Sequence, residues 1–547
     1  MVRLFYLQVV RGPELAEQAD RQYLKPLDKP FDRGTIFFTN KDGSLFSAAT
    51  VKTGYNLTIN PEMITNPEAA FHSLVAALPT VDHDTFVYKA SKPGDQYEVI
   101  ANRLPENTAN LIKTLSQPGF SVVKERWRFY PGETLAAHTL GFMAYRGSDY
   151  VGLYGLEKTY NNILTRADTP SFSQFFAQLF LGIGGGFFTD DNKKGGGDVV
   201  STIEPTVQNY VESELAKVTA EYKAESAGAI VMDPKTGEIY SMAAWPTFNP
   251  GDKQGDINIL TNPLVERVFE MGSIVKALTM ASALDAGAVK ADTTYFDAGH
   301  LTLNGSTISN YDGKGRGTVD MQQVLNQSLN TGAVFAMQQL GRDRFRRYLT
   351  SFGVGEKTGI ELPDEVGGLI NNLRSTRDIE YATASFGQGF AMTPIETIRA
   401  LSALGNGGYL PPPHVVKEVK YEDGSEEVAK FPVGRRVLSG ATNEEITRML
   451  VRVVDEALRG GTVKMPHYRI AAKTGTAQIA NLQDGGYYPD RYLHSFFGYF
   501  PAYDPKFIVF MYIVHPQGVQ YASETLTLPF MDVAKFLISY YNLPPDR

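Results

Sequence analysis

The sequence predicts an α+β fold in two parts. A mixed α/β scaffold occupies residues 1–198. A second domain, 199–547, is built on one antiparallel sheet flanked by helices, with an all-helical subdomain set into it. Three observations carry this. Two strand-like runs around residue 235 are followed by a long helical stretch, and only then by three more strand-like runs and a closing helix. Strands from both ends of a domain must then meet in one sheet. The chain has 547 residues, more than one hydrophobic core usually serves. A polar, glycine-rich break, Thr189 to Asp198, reads as a turn or hinge between the halves.

Residues 1 to about 30 read as a helix, with Leu4, Leu7, Val10 and Leu15 apolar. From Asp32 the pattern is extended. Asp42-Gly43 between Thr35–Thr39 and Ser44–Phe46 signals a hairpin. Residues 57 to 117 alternate short helices and loops. Arg126–Pro131, Leu140–Phe142 and Gly152–Glu157 are landmarks without catalytic spacing. Seven large apolar residues between Phe172 and Phe188 are either buried between domains or an exposed contact surface. In the second half a helix begins near Pro205. Ala229–Met232 and Glu238–Met242 flank the turn Asp233–Gly237, a hairpin. Helices dominate from 320 to 410. Strands return at Tyr468–Ala471, Ser495–Phe500 and Phe507–Val514, and a helix fills 525–541.

Composition excludes several classes. Net charge is −8 with no long basic run, which argues against nucleic acid. The chain has no cysteine, so disulfides, thiolate nucleophiles and cysteine-ligated metals are excluded. The eight histidines show no metal-ligand spacing, and no cofactor is expected. No apolar run approaches the roughly 20 residues of a membrane span. Leu4–Val10 is too short, and Phe507–Val514 reads as a buried strand. No signal peptide is evident.

The chemistry centres on Phe269–Lys276. Ser273 and Lys276, three apart, share one face of a helix. Met271-Gly272 turns into that helix, Ala277–Ala286 continues it and Gly287 ends it. A lysine one turn from a serine at a helix N-terminus suits an activated nucleophile. Such a pair alone says little, and a second copy, Ser121 and Lys124, has no helix entry. Two elements downstream of Ser273 give it weight. Ser328 and Asn330 offer a hydroxyl relay and an orienting amide. Lys-Thr-Gly occurs four times, beginning at Lys52, Lys235, Lys357 and Lys473. Only Lys473 comes after an alternating strand within the C-terminal run. There Lys473, Thr474 and Thr476 suit a carboxylate, Gly475 would admit a substrate backbone, and the strand can pair with an extended peptide.

The ordered set Ser-x-x-Lys, Ser-x-Asn, Lys-Thr-Gly resembles the penicillin-binding protein transpeptidases, and more narrowly the class B, monofunctional enzymes of division or elongation. Arg33–Ile36, Arg128–Pro131 and Gly152–Glu157 resemble that family's pedestal domain. Met232–Ile239, Pro246–Pro250, Gly387–Gly389 and Thr393-Pro394 are further matches. The resemblance implies a penicillin-binding transpeptidase domain on an elongated pedestal. It also implies a two-step acyl transfer on peptidoglycan stem peptides ending in D-Ala-D-Ala, inhibited by β-lactams. Ser273 would attack, Lys276 would act as base with its pKa lowered by burial and Lys473, and Ser328 would relay the proton. Asn330 would hold Lys276 and the substrate amide. The N–H groups of Ser273 and Thr476 would form the oxyanion hole. Implied partners are a membrane-embedded glycosyltransferase and division or elongation proteins. The implied place is the outer face of the bacterial cytoplasmic membrane, held by an N-terminal anchor absent from this chain. Met271 stands where the family usually has proline; proline would pre-set the turn, so its loss is expected to loosen the entry without removing a catalytic group. Two rivals are a D,D-carboxypeptidase or β-lactamase-like hydrolase, and a cell-wall scaffold without catalysis.

Overall fold

The structure is a computed structural model that describes residues 31–147, 149–166, 196–252, 257–481 and 485–547. The helix expected over 1–30, the stretch Phe172–Phe188 and most of the Thr189–Asp198 break lie outside these residues.

The chain forms two compact units. Among described residues the smaller holds 31–33 and 50–129, and the larger 34–49 and everything after 129. The division expected at residue 198 is therefore not where the compact units part. The physical reason is strand Gly197–Ser201. It pairs in parallel with Ile36–Thr39 and antiparallel with Val416–Tyr421, tying residues from both sides of 198 into one sheet.

In the smaller unit, Thr50–Ile59 pairs with Phe120–Phe129 along its length and with Glu98–Leu104 near its end. Helices Pro67–Val75, His83–Ala90 and Glu106–Thr114 pack there around Leu57, Phe71, Leu74, Phe86 and Ile112. Strand Glu98–Leu104 replaces an expected loop. Its Arg103 and Asn102 are exposed and polar, which hid it from the pattern.

The larger unit is built on a five-stranded antiparallel sheet. Its order is Ala471–Ala480, Tyr487–Phe500, Phe507–Val514, Ser226–Met232, Ile239–Trp245, so strands from both ends of the domain meet in it. Alternation divides its side chains. Ala229 and Val231 face helices Pro205–Tyr222 and Thr527–Tyr540, with Val211, Leu215, Phe530 and Leu537. Ile230 and Met232 face the other way, into a core shared with Ala277, Leu278 and Ala281 of helix Val275–Asp285. On that second side lies the helical subdomain: Met321–Asn326, Asn330–Leu340, Arg342–Ser351, Asp378–Ala384 and Pro394–Ser402. The α+β expectation holds. Strand Ala471–Ala480 starts later than the expected 468, because Arg469 N–H donates to Asp546 (2.7 Å) and Arg547 donates to the Tyr468 carbonyl (2.7 Å). Those residues are tied to the C-terminal tail instead of the sheet.

Candidate active site

Ser273 sits in the 3₁₀ turn Gly272–Ile274 that runs straight into helix Val275–Asp285. Gly272 has φ +62°, and a Cβ there would lie 2.5 Å from the Thr476 carbonyl oxygen. Only glycine lets the turn approach the Lys-Thr-Gly strand this closely. Met271 in place of proline does not leave the turn loose. Ser495 Oγ donates to the Met271 carbonyl (2.7 Å), and the Gly272 N–H donates to the Gly387 carbonyl (3.0 Å).

Lys276, one turn on, is 1% exposed. Its Nζ donates to the Ser328 carbonyl (2.5 Å) and lies 3.3 Å from Ser328 Oγ. Lys473 Nζ donates to the same Ser328 Oγ (2.9 Å) and to the Thr474 carbonyl (2.9 Å). Two lysines thus converge on one hydroxyl. Burial holds the Lys276 ammonium well below its ordinary pKa, and the charge of Lys473 lowers it further. Burial brings Lys473 down to about 7. The pair cannot cheaply carry two protons, so one amine is available as a base beside Ser328.

Ser328 comes after helix Met321–Asn326 and has φ +54°, a conformation that costs energy for a residue with a side chain. That backbone presents both its carbonyl and its hydroxyl to Lys276. Asn330, at the start of the next helix, is in the cleft but donates its amide N–H to the Ser309 carbonyl (2.8 Å). Lys276 is held by Ser328, not by Asn330.

Strand Ala471–Ala480 is an edge of the five-stranded sheet. Lys473, Thr474 and Thr476 line a cleft of about 780 Å³, together with Ser273, Ser328 and Asn330. Gly475 does not line it. A Cβ there would lie 2.4 Å from Ser495 Oγ and 2.7 Å from the Met271 carbonyl, so this glycine serves the packing of strand against serine turn. It points away from Thr474 and Thr476 because side chains alternate along a strand. The other Lys-Thr-Gly copies lie elsewhere: Lys52 in strand Leu45–Ile59, Lys235 in the hairpin turn, Lys357 in a loop. Ser121 lies in a strand.

Gln388, within the Gly387–Gly389 match, also lines the cleft, and so do residues not anticipated from sequence: Arg459, Tyr492, Tyr521 and Tyr311. Glu270, three before Ser273, accepts from Gly389 N–H (3.1 Å) and the Tyr487 hydroxyl (3.1 Å), and burial pushes its carboxyl up to about 7. Position relative to Ser273 was the only signal for it.

A family model described as the penicillin binding protein transpeptidase domain matches residues 227–532, spanning every one of these groups. The chain belongs to the penicillin-binding protein transpeptidase family. A second model, the penicillin-binding protein dimerisation domain, matches residues 29–168 of this transpeptidase. Over 541 residues it is 31% identical to stage V sporulation protein D of Bacillus subtilis, covering 97% of this chain and 81% of that one. It is 27% identical to the probable peptidoglycan D,D-transpeptidase PenA of Neisseria meningitidis, over 100% of this chain and 91% of PenA. In fold it is similar to penicillin binding protein 2X of Streptococcus thermophilus (TM-score 0.74, 21% identity, 93% of this chain and 80% of that one). It is also similar in fold to penicillin binding protein 3 of Mycobacterium tuberculosis (TM-score 0.71, 24% identity, 95% and 98%). Among the described residues no helix is long and apolar enough to cross a membrane.

Proposed function

We propose that Ser273, Lys276 and Ser328 carry out a two-step acyl transfer on peptidoglycan stem peptides. The enzyme is a serine-type peptidoglycan D,D-transpeptidase, and β-lactams are its inhibitors. The observation that carries the role assignment is the convergence of Lys276 and Lys473 on Ser328 Oγ, at 3.3 and 2.9 Å, in the cleft that holds Ser273. Lys276 in its neutral form takes the Ser273 proton as Oγ attacks the carbonyl of the penultimate D-alanine. The acyl–oxygen bond forms, the peptide C–N bond breaks, and Ser328 passes a proton to the departing D-alanine amine. An amine of a second stem peptide then takes the acyl group and restores the serine. Thr474, Thr476 and Lys473 receive the terminal carboxylate, and Asn330 orients the substrate amide. The N–H groups of Ser273 and Thr476 stabilise the oxyanion, worth about 3–4 kcal/mol per donor. The close approach of Gly272 to Thr476 supports that pairing. Digestion and mass spectrometry of the penicillin-treated protein test the site. The adduct is expected on the peptide carrying Ser273 and is expected to vanish in Ser273→Ala; an adduct on Ser121 or Ser328 overturns the assignment.

We further propose that the part before residue 199 is a pedestal. It carries the transpeptidase away from the outer face of the bacterial cytoplasmic membrane and meets a membrane-embedded glycosyltransferase of the division or elongation machinery. The match of residues 29–168 to a dimerisation domain supports a non-catalytic role. Pull-down of the glycosyltransferase with the whole protein, but not with a protein lacking 50–129, is the expected outcome; equal capture by both overturns it.

A further inference from the structure

Among the described residues the cleft is lined by two permanently or potentially cationic side chains, Lys473 and Arg459, and by no carboxylate. Lys473 donates to Ser328 and Thr474, and on the proposed function its remaining donor serves the terminal carboxylate. Arg459 makes no side-chain hydrogen bond or ion pair with any described residue, although its charge is felt by the Tyr222 phenol.

The backbone around this lining arginine is unusual. Val453–Ala457 is a π-helix, a rare wide turn found frequently at functional sites, and both of its end residues line the cleft. It is followed by Arg459 at φ 48°, ψ 38° and Gly460 at φ 66°, ψ 27°. A left-handed arginine is strained and persists only if its surroundings hold it. The Thr462 hydroxyl does so, donating to the Arg459 carbonyl at 2.8 Å. At Gly461 a Cβ would lie 2.6 Å from the Asp455 carbonyl, so the turn closes tightly on the π-helix.

A stem peptide brings one carboxylate to Lys473, Thr474 and Thr476 at its D-alanine end. A guanidinium elsewhere in the same acid-free cleft suits a second, through two parallel charge-assisted hydrogen bonds. We propose that Arg459 is a specificity-determining residue that binds a carboxylate within the stem peptide, so that stems with this group free are used in preference to stems with it amidated. This rests on the reading of the cleft as the stem-peptide site.

The test compares two synthetic D-Ala-D-Ala donors, identical except that one carries an internal free carboxylate and the other the primary amide. Acylation of the whole protein is followed by mass spectrometry. The wild type is expected to acylate with the free-acid donor roughly tenfold faster in kcat/KM, the value of one charge-assisted bond. That ratio is expected to shrink as salt is raised. In Arg459→Gln the ratio falls towards one; in Arg459→Lys it is partly kept. A structural role would slow both donors alike and leave the ratio unchanged, which overturns the proposal. Should the variants fail to fold, the wild type alone decides: equal use of both donors overturns it. Failure of the underlying reading looks different, since the wild type would then not be acylated at Ser273 by penicillin at all.

Discussion

Lys276 shows how one buried side chain ties stability to activity. A lysine 1% exposed must shed its proton or leave a charge in the core. Its folded pKa is below the unfolded value, so the folded state binds fewer protons, and stability falls as pH drops below the unfolded pKa. Lys276→Met, similar in volume and apolar, is therefore expected to raise the melting temperature, by more at pH 6 than at pH 9. The same change should cost about 10²–10⁴-fold in penicillin acylation. Calorimetry at the two pH values checks the first part; a lower melting temperature at pH 6 contradicts it. The two lysines also titrate as a pair. On the proposed roles, with Lys276 neutral as base and Lys473 charged at the carboxylate, the rate should rise with pH as the first proton leaves the pair and fall as the second leaves. Arginine does not titrate in this range, so Lys473→Arg should lose the falling limb of a pH profile of acylation. A bell that survives in Lys473→Arg sinks that assignment.

At the scale of elements, the legible parts were those where chemistry and periodicity coincide. The helix after Ser273 follows from a glycine turn and good helix formers, and strand Phe507–Val514 from an unbroken apolar run. The order of Ser273, Ser328 and Lys473 placed all three in one cleft. The parts that stayed hidden depend on tertiary approach. Nothing in Val453–Ala457 spells a π-helix, and nothing in Arg459 spells a left-handed residue lining a cleft. What Gly475 packs against was hidden for a similar reason: glycine signals close approach, but not by which group. Its neighbour is the serine turn. Gly475→Ala is thus expected to push strand Ala471–Ala480 off Met271 and Ile274, with contacts of 2.7 and 2.9 Å to relieve. Overpacking of this kind costs about 1–3 kcal/mol. Melting temperature and penicillin acylation rate should fall together; loss of substrate binding with an unchanged melting temperature would instead give this glycine the role of admitting the substrate backbone.

For the whole molecule, connectivity and compactness disagree, and that disagreement is testable. A cut at residue 199 removes strand Ile36–Thr39 and part of Gly197–Ser201 from the larger unit. It also removes His138, whose ring is buried and bonded to the Ile259 carbonyl at 2.9 Å, and Ala136, whose N–H donates to Glu212 at 2.8 Å. Several buried apolar groups go with them, Phe38, Leu140, Phe142 and Leu156 among them. Burying each such side chain is worth about 1.5–3 kcal/mol, against a total stability of about 5–15 kcal/mol. A protein beginning at 199 is therefore expected not to fold. Residues 50–129 are different. They carry their own core, and Thr50 and Phe129 face each other as register partners across one ladder. A short glycine linker can join Ala49 to Tyr130 across that gap. The protein so shortened is expected to melt cooperatively and to be acylated by penicillin within about threefold of the whole chain, because every group in the cleft belongs to the larger unit. Circular dichroism melts and penicillin labelling of the two shortened proteins decide it. If the protein beginning at 199 folds and labels while the one lacking 50–129 does not, the domain boundary belongs at 198 after all.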